Sequence, residues 1–206
     1  FQYQVGDGIA TSTTATASIN VSQRSVVAIA NTANPTHAED GTATAVAPNL
    51  TITDPDSTTL TGATITITDA LTGDLLNFTT QNGITGTWDA NTASLTLSGT
   101  ATVEQYRDAL RSITYSTTNN NPATGTGNDT RVIRFVVTDN GLSSTNQDAT
   151  VTVSNTNDAP TLSGTATLGA VLEDASSPAG AALSSFVGQG LTVAEVDTGG
   201  SLTGFA

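Results

Sequence analysis

Carboxylates gather in the turn-forming stretches of this chain. They stand at Glu39-Asp40, Asp54-Pro55-Asp56-Ser57, Asp139-Asn140-Gly141, Asn155-Thr156-Asn157-Asp158, Glu173-Asp174 and Glu195-Val196-Asp197. Oxygen-rich turns suit a hard divalent cation. Calcium takes about six to eight oxygens from carboxylates, amide carbonyls and backbone carbonyls. An i, i+2 pair such as Asp54 and Asp56 turns two carboxylates toward one point, and several such loops meeting at one place complete a shell. The candidate metal ligands are therefore Glu39, Asp40, Asp54, Asp56, Asp139, Asn155, Asn157, Asp158, Glu173, Asp174, Glu195 and Asp197. A divalent cation is the sharper reading of these turns. Any one of these pairs taken alone also reads as a solvated turn.

Other chemistries find little footing. His37 is the single histidine and there is no cysteine, so a zinc site would have carboxylates alone beside that imidazole. His37 falls in a stretch that reads as a surface loop. A Ser-His-Asp arrangement would need that same histidine, and no Gly-x-Ser-x-Gly elbow occurs. Glycoside cleavage would need paired carboxylates in a cleft with aromatic platforms. The one tryptophan, Trp88, lies in an alternating segment where packing on a sheet is its expected role, and Tyr106 and Tyr115 read as structural. The chain is not expected to be an enzyme.

Composition narrows the partners. Eighteen acidic and five basic residues among 206 give a net charge of −13. Nucleic acid and anionic membrane surfaces both require clustered Lys and Arg, so neither is an expected partner. No run approaches the length of about 18 apolar residues that a spanning helix needs, so no membrane insertion is expected. With no cysteine there is no disulfide framework. The chain opens on Phe1, which reads as a processed protein or a window of a longer one.

Strands must position the acidic turns. Aromatics are only 4% of residues, and Thr, Ser, Ala, Gly and Asn are abundant. The apolar residues nevertheless alternate with period two over Thr64–Thr68, Leu95–Leu97, Val132–Val137 and Ala149–Val153, each stretch bounded by turn residues. Such short strands with regular punctuation predict an all-β sandwich. One segment differs. Thr102 followed by Gln105 spells a capping box, and Val103, Tyr106 and Leu110 share one helical face. A short helix over 102–112 is expected to cross between sheets and plug one end of the core.

The sequence also repeats itself. Asp7 aligns on Asp139, an offset of 139 − 7 = 132, and the same offset sets Ala17, Ile19 and Val21 on Ala149, Val151 and Val153. Glu39-Asp40 matches Glu173-Asp174 at 173 − 39 = 134, and Leu60-Thr61-Gly62 matches Leu202-Thr203-Gly204 at 202 − 60 = 142. The matches stay collinear while the offset grows, as repeats with short insertions do. Residues 1–22 are thus expected to be the last strands of one repeat, 23–156 a complete repeat, and 157–206 the first strands of a third.

Within this frame a resemblance emerges. Phe135-Val136-Val137-Thr138-Asp139-Asn140-Gly141, then Val151-Thr152-Val153, then Asn157-Asp158-Ala159-Pro160, resembles the end of a cadherin-type repeat, and Asp54-Pro55-Asp56-Ser57 resembles the paired aspartates of such a repeat. The segment from Val103 to Tyr115 is similar to an element of the cadherin-like repeats in very large bacterial surface and secreted adhesins. The resemblance covers nearly the whole chain. It implies an Ig/cadherin-like Greek-key β-sandwich in tandem, an extracellular or cell-surface location, and calcium between successive repeats. It also implies a lopsided pair of junctions. Asn155 stands where the family commonly has an acid, and Glu195 replaces the first aspartate of a pair. Ser22-Gln23-Arg24-Ser25 replaces the upstream linker motif altogether. Calcium is expected at the downstream junction more than at the upstream one.

The function expected from these observations is a structural or adhesive segment of a long extracellular surface protein, stiffened by calcium where repeats meet. Its partners would be neighbouring repeats of the same chain or identical chains, with a cell-surface ligand as a further candidate. Two alternatives stand beside it: a filament subunit whose incomplete ends are closed by strand addition from neighbouring chains, and a carbohydrate- or protein-binding module.

Overall fold

A computed structural model of the chain describes residues 1–19, 26–29, 35–55, 57–123, 129–167, 185, 187, 189–195 and 197, with the backbone alone for 26–29. It is mostly β, with one short helix. In chain order the strands are β1 (Gln2–Tyr3), β2 (Ala15–Thr16), β3 (Val26–Ile29), β4 (Thr36–Ala38), β5 (Thr44–Ala45), β6 (Leu50–Thr53), β7 (Thr59–Ile67), β8 (Asp74–Asn77), β9 (Thr85–Asp89) and β10 (Ser94–Thr102). The helix α1 (Val103–Arg111) follows. The remaining strands are β11 (Thr114–Thr117), β12 (Asp129–Asp139), β13 (Leu142–Ser143), β14 (Gln147–Ser154), β15 (Thr161–Gly164) and β16 (Leu191–Ala194).

The largest sheet runs β4-β14-β12-β7-β10-β9, with β13 paired to β12. Its neighbours are antiparallel except β4, which lies parallel to the end of β14 through Thr36↔Thr152, His37↔Val153 and Ala38↔Ser154. A second sheet runs β5-β11-β8, and β3 pairs with β6. Among the described residues, β1 and β2 pair only with each other, as do β15 and β16.

The core lies where the inward faces of these strands meet. Ile65, Leu95, Leu97, Ile133, Phe135, Val137, Val151 and Val153 come from the large sheet, Leu76 and Tyr115 from the second, and Leu50 and Ile52 from β6. In β12 the pattern is strict: Arg131, Ile133, Phe135 and Val137 are buried while Val132, Arg134 and Val136 are only half covered. A pleated strand with one face on the core enforces that period.

The helix forms where the capping signal stands. Thr102 Oγ1 accepts from Gln105 N at 3.2 Å, and Gln105 Oε1 accepts from Thr102 N at 2.9 Å. These two bonds satisfy donors that a helix start leaves open. Tyr106, Ala109 and Leu110 are buried, and Val103 packs beside them. The helix carries the chain from β10 in the large sheet to β11 in the second, and the Tyr106 hydroxyl donates back to Gly99 O.

His37 departs from its expected place. It is buried, not in a surface loop. The parallel pairing of β4 with β14 draws it over the core, where its ring meets Tyr115 edge-on at 5.1 Å and its Nδ1 lies 3.1 Å from Thr44 Oγ1. Burial holds its pKa below the usual imidazole value.

Candidate metal centre

The acidic turns divide between the two ends of the large sheet. β12 and β14 run antiparallel, with Asp129 opposite Val153 and Phe135 opposite Gln147. The end of β14, and the segment 155–158 that follows it, therefore lie at the Asp129 end. Asp139 lies ten residues along β12, roughly 34 Å away at the rise of an extended strand. Asp54 sits at the Asp139 end, because Thr138 pairs with Gly62 and the turn 54–58 leads straight into β7. Asp54 Oδ1 accepts from Ser57 N at 3.2 Å in that turn.

At the other end three of the expected ligands converge. Glu39, Asp158 and Asp197 each bring a carboxylate oxygen to within 4.8 Å of the others'. Glu39 follows directly from β4. Its backbone N donates to Ser154 O at 3.0 Å, and its Oε2 accepts from Thr156 N at 3.1 Å. The Thr156 hydroxyl in turn donates to Glu39 O at 3.2 Å. These bonds fix the start of the linker against the end of β4. Asp158 lies two residues further, and its backbone N donates to Asp197 Oδ2. Asp197 N donates to Glu195 Oε1 at 3.2 Å, so the turn after β16 is held to the same point.

The electrostatics of this cluster are unbalanced. Glu39 is only 3% exposed. Glu39 Oε1 and Asp197 Oδ1 are buried with no hydrogen-bond partner among the described residues. Burial pushes the Glu39 carboxyl above its usual range, against the Thr156 N–H, and the charges of Asp158, Asp197 and Asp40 add to the rise. Asp158 is raised too, by desolvation first and then by Asp40, Asp197 and Glu195. No Lys or Arg makes an ion pair with any of them among the described residues. An unpaired buried carboxylate is costly and is normally neutralised or matched by a cation. The donor set is all oxygen, which suits calcium or magnesium and not a soft metal.

Other expected ligands are placed as follows. Asp40 is exposed at φ 57°, with its charge felt by Glu39 and Asp158. Asn155 turns its amide the other way: Oδ1 accepts from Ala123 N at 2.8 Å and Nδ2 donates to Ala123 O at 3.2 Å. Asn157 is exposed and its Nδ2 donates to Asp158 O. Asp56, Glu173, Asp174 and the upstream segment Ser22–Ser25 lie outside the described residues. The partnerless atoms were invisible in the sequence, since pairing of Glu39 with Thr156 spans 117 residues.

Tyr106, Tyr115 and Trp88 pack against the sheets. Tyr106 and Tyr115 are buried in the core. Trp88 is half-buried opposite Leu95 and, with Leu75 and Phe78, lines a surface recess of about 540 Å³. Among the described residues no helix is long and apolar enough to cross a membrane. Comparison with known proteins returns nothing: no family model, no curated protein and no solved structure matches this chain.

Proposed function

We propose that the chain is a non-enzymatic structural and adhesive segment of a long extracellular surface protein, built from Ig/cadherin-like Greek-key β-sandwich repeats and stiffened by calcium where one repeat meets the next. The observation that carries this reading is the convergence of Glu39, Asp158 and Asp197 with two buried carboxylate oxygens that lack a hydrogen-bond partner among the described residues. The three residues come from three different parts of the chain: the end of β4, the linker after β14, and the turn after β16. A cation held by all three joins the sandwich to its successor. It also offsets the burial that raises Glu39 and Asp158 and the mutual repulsion that adds to it. Bending the linker then breaks metal–oxygen bonds, so an occupied joint is stiff and an empty one is a flexible hinge. The resemblance of Asn157-Asp158-Ala159-Pro160 to the linker of cadherin-like repeats supports the same reading.

The test is titration of the full chain with calcium and with magnesium, read by calorimetry, melting temperature and small-angle scattering. Calcium at a hundred times its dissociation constant should stabilise the metal-bound unit by about 2.7 kcal/mol and lengthen the particle. EDTA should reverse both. A chain whose melting and scattering ignore calcium sinks the calcium mechanism.

A further inference from the structure

The hairpin at the start of the chain copies the backbone pairing and the serine bonds of the hairpin β12–β14. At the offset of 132, Gln2↔Thr16 and Tyr3↔Ala15 correspond to Arg134↔Asp148 and Phe135↔Gln147. The bridge Gly6↔Thr11 corresponds to Thr138↔Ser143. Ser12 N donates to Val5 O at 2.8 Å, and Ser144 N donates to Val137 O at 2.8 Å. Val5 N donates to Ser12 Oγ at 3.0 Å, as Val137 N does to Ser144 Oγ at 3.0 Å. Both serine hydroxyls then donate to the carbonyl of the next residue at 3.0 Å. Phe1 and Ala17 exchange bonds at 2.9 Å where Ile133 pairs with Ala149.

The surroundings of the two hairpins are opposite. Ile133, Phe135, Val137 and Val151 are fully buried, whereas their counterparts Phe1, Tyr3, Val5 and Ile19 are 75%, 57%, 76% and 70% exposed. The serine bond sharpens the contrast. Inside the core the Val137 N–H needs Ser144, because a buried donor without a partner is costly. At Val5 water would serve, yet the same serine stands ready. The outer edge of the strand differs too. β12 pairs with β7 through Ile133↔Ile67, Phe135↔Ile65 and Val137↔Ala63, while β1 has only β2 beside it among the described residues. The β7 of this chain is already flanked by β12 and β10, so it cannot serve both hairpins.

From this we infer that residues 1–19 are the closing hairpin of a second unit of the same fold, and that their apolar face binds a strand group equivalent to residues 26–132, joined directly ahead of Phe1. Strands equivalent to β7 would lie along β1, with Ile67, Ile65 and Ala63 counterparts opposite Phe1, Tyr3 and Val5. Tyr3 takes the core position that Phe135 holds here. The inference rests on the tandem-repeat part of the proposed function but not on calcium.

The experiment duplicates residues 26–132 ahead of Phe1 in the full chain, which restores the spacing of Val132 to Ile133. Amide exchange at Tyr3, Val5 and Ala17 is compared with Phe135, Val137 and Ala149, in EDTA and in calcium. In residues 1–206 alone the hairpin amides should exchange fast. In the fused chain they should slow by about 100-fold or more, toward the rates of their counterparts. Tyr3→Asp in the fused chain should abolish that protection while residues 35–154 stay protected, and Tyr3→Phe should keep it. Hairpin amides that remain fast in the fused chain overturn the inference. So does protection that survives Tyr3→Asp. Protection appearing in residues 1–206 alone with rising concentration also overturns it, because the occupant would then be a second copy. Failure of calcium to bind leaves every one of these rates unchanged, so the two proposals fail separately.

Discussion

Arg131 Nε donates to Asp74 Oδ2 at 2.6 Å inside the core, which ties β12 of the large sheet to β8 of the second. The pair is closed on all sides. Asp74 also accepts from the Tyr115 hydroxyl and from Leu71 N, and Arg131 Nη2 donates to Pro122 O. Burial and the Asp74 carboxylate push the Tyr115 hydroxyl above the usual phenol value. Removing one partner strands the other in a dry place, at about 3–5 kcal/mol. Arg131→Met and Asp74→Asn should each lower stability by that order in urea unfolding. A paired replacement of both by apolar residues should recover most of the loss. A single variant within about 1 kcal/mol of wild type would show that the pair does not hold the sheets together.

The proposed metal centre predicts a split between affinity and metal-free stability. Asp158→Asn and Asp197→Asn should each weaken calcium binding by about tenfold or more, or 1.4 kcal/mol. Glu39→Gln should do the same, yet it should raise the melting temperature in EDTA, because it removes a desolvated charge from beside two others. Asp54→Asn and Asp139→Asn, at the far end of the sheet, should leave this site untouched. Calorimetric titration and melting curves in EDTA read both quantities.

Gly99 sits in the β10 bulge at φ +133°, and a Cβ there would lie 2.3 Å from Gly83 O. Strain and overpacking act together, so Gly99→Ala should cost about 2–4 kcal/mol. The Tyr106 hydroxyl bonds Gly99 O, so the substitution should also loosen α1. Exchange at the helix amides is the second readout.

The capping box predicts a graded pair. Thr102→Ala removes the side-chain acceptor and should cost about 1 kcal/mol. Gln105→Ala loses only the reciprocal bond to Thr102 N and should cost less. Equal losses, measured by chemical denaturation, would contradict the reciprocal geometry.

Arg134 and Asp148 form a two-bond pair across β12 and β14, both bonds at 2.9 Å and both side chains 40% exposed. The hydrogen bonds from Arg134 hold the Asp148 carboxyl below its ordinary value of 3.8. A lowered carboxylate stabilises the fold above that value and loses its effect as pH falls through the folded pKa. Arg134→Gln should therefore melt slightly below wild type near neutral pH, with the gap closing under acid and shrinking in salt. A gap that widens toward low pH would refute this.

Much of the scaffold was legible in the sequence because its signals are local. Period-two alternation over 132–137 and 149–153 marks β12 and β14, since a pleated strand with one buried face permits no other pattern. Thr102 and Gln105 mark the start of α1, because a helix start has donors to satisfy within one turn. Residues 1–19 match 133–151 in sequence, and β1 pairs with β2 as β12 pairs with β14. The place of His37 was not legible, because its burial comes from a parallel pairing with residues 152–154 that no local pattern announces.

The acidic turns show the same division. The sequence by itself determined that carboxylates fall in turn-forming stretches and that no cysteine or methionine stands beside them. Only the tertiary structure decided which turns share an end of the sheet. Strand direction carries Asp139 and Asp54 to one end and Glu39, Asp158 and Asp197 to the other. It also decided that Asn155 serves Ala123, and that one oxygen each of Glu39 and Asp197 is buried without a hydrogen-bond partner among the described residues. Residue type and spacing are properties of a few neighbouring positions, whereas burial and convergence depend on contacts between residues far apart in sequence, 117 positions for Glu39 and Thr156 and 39 for Asp158 and Asp197.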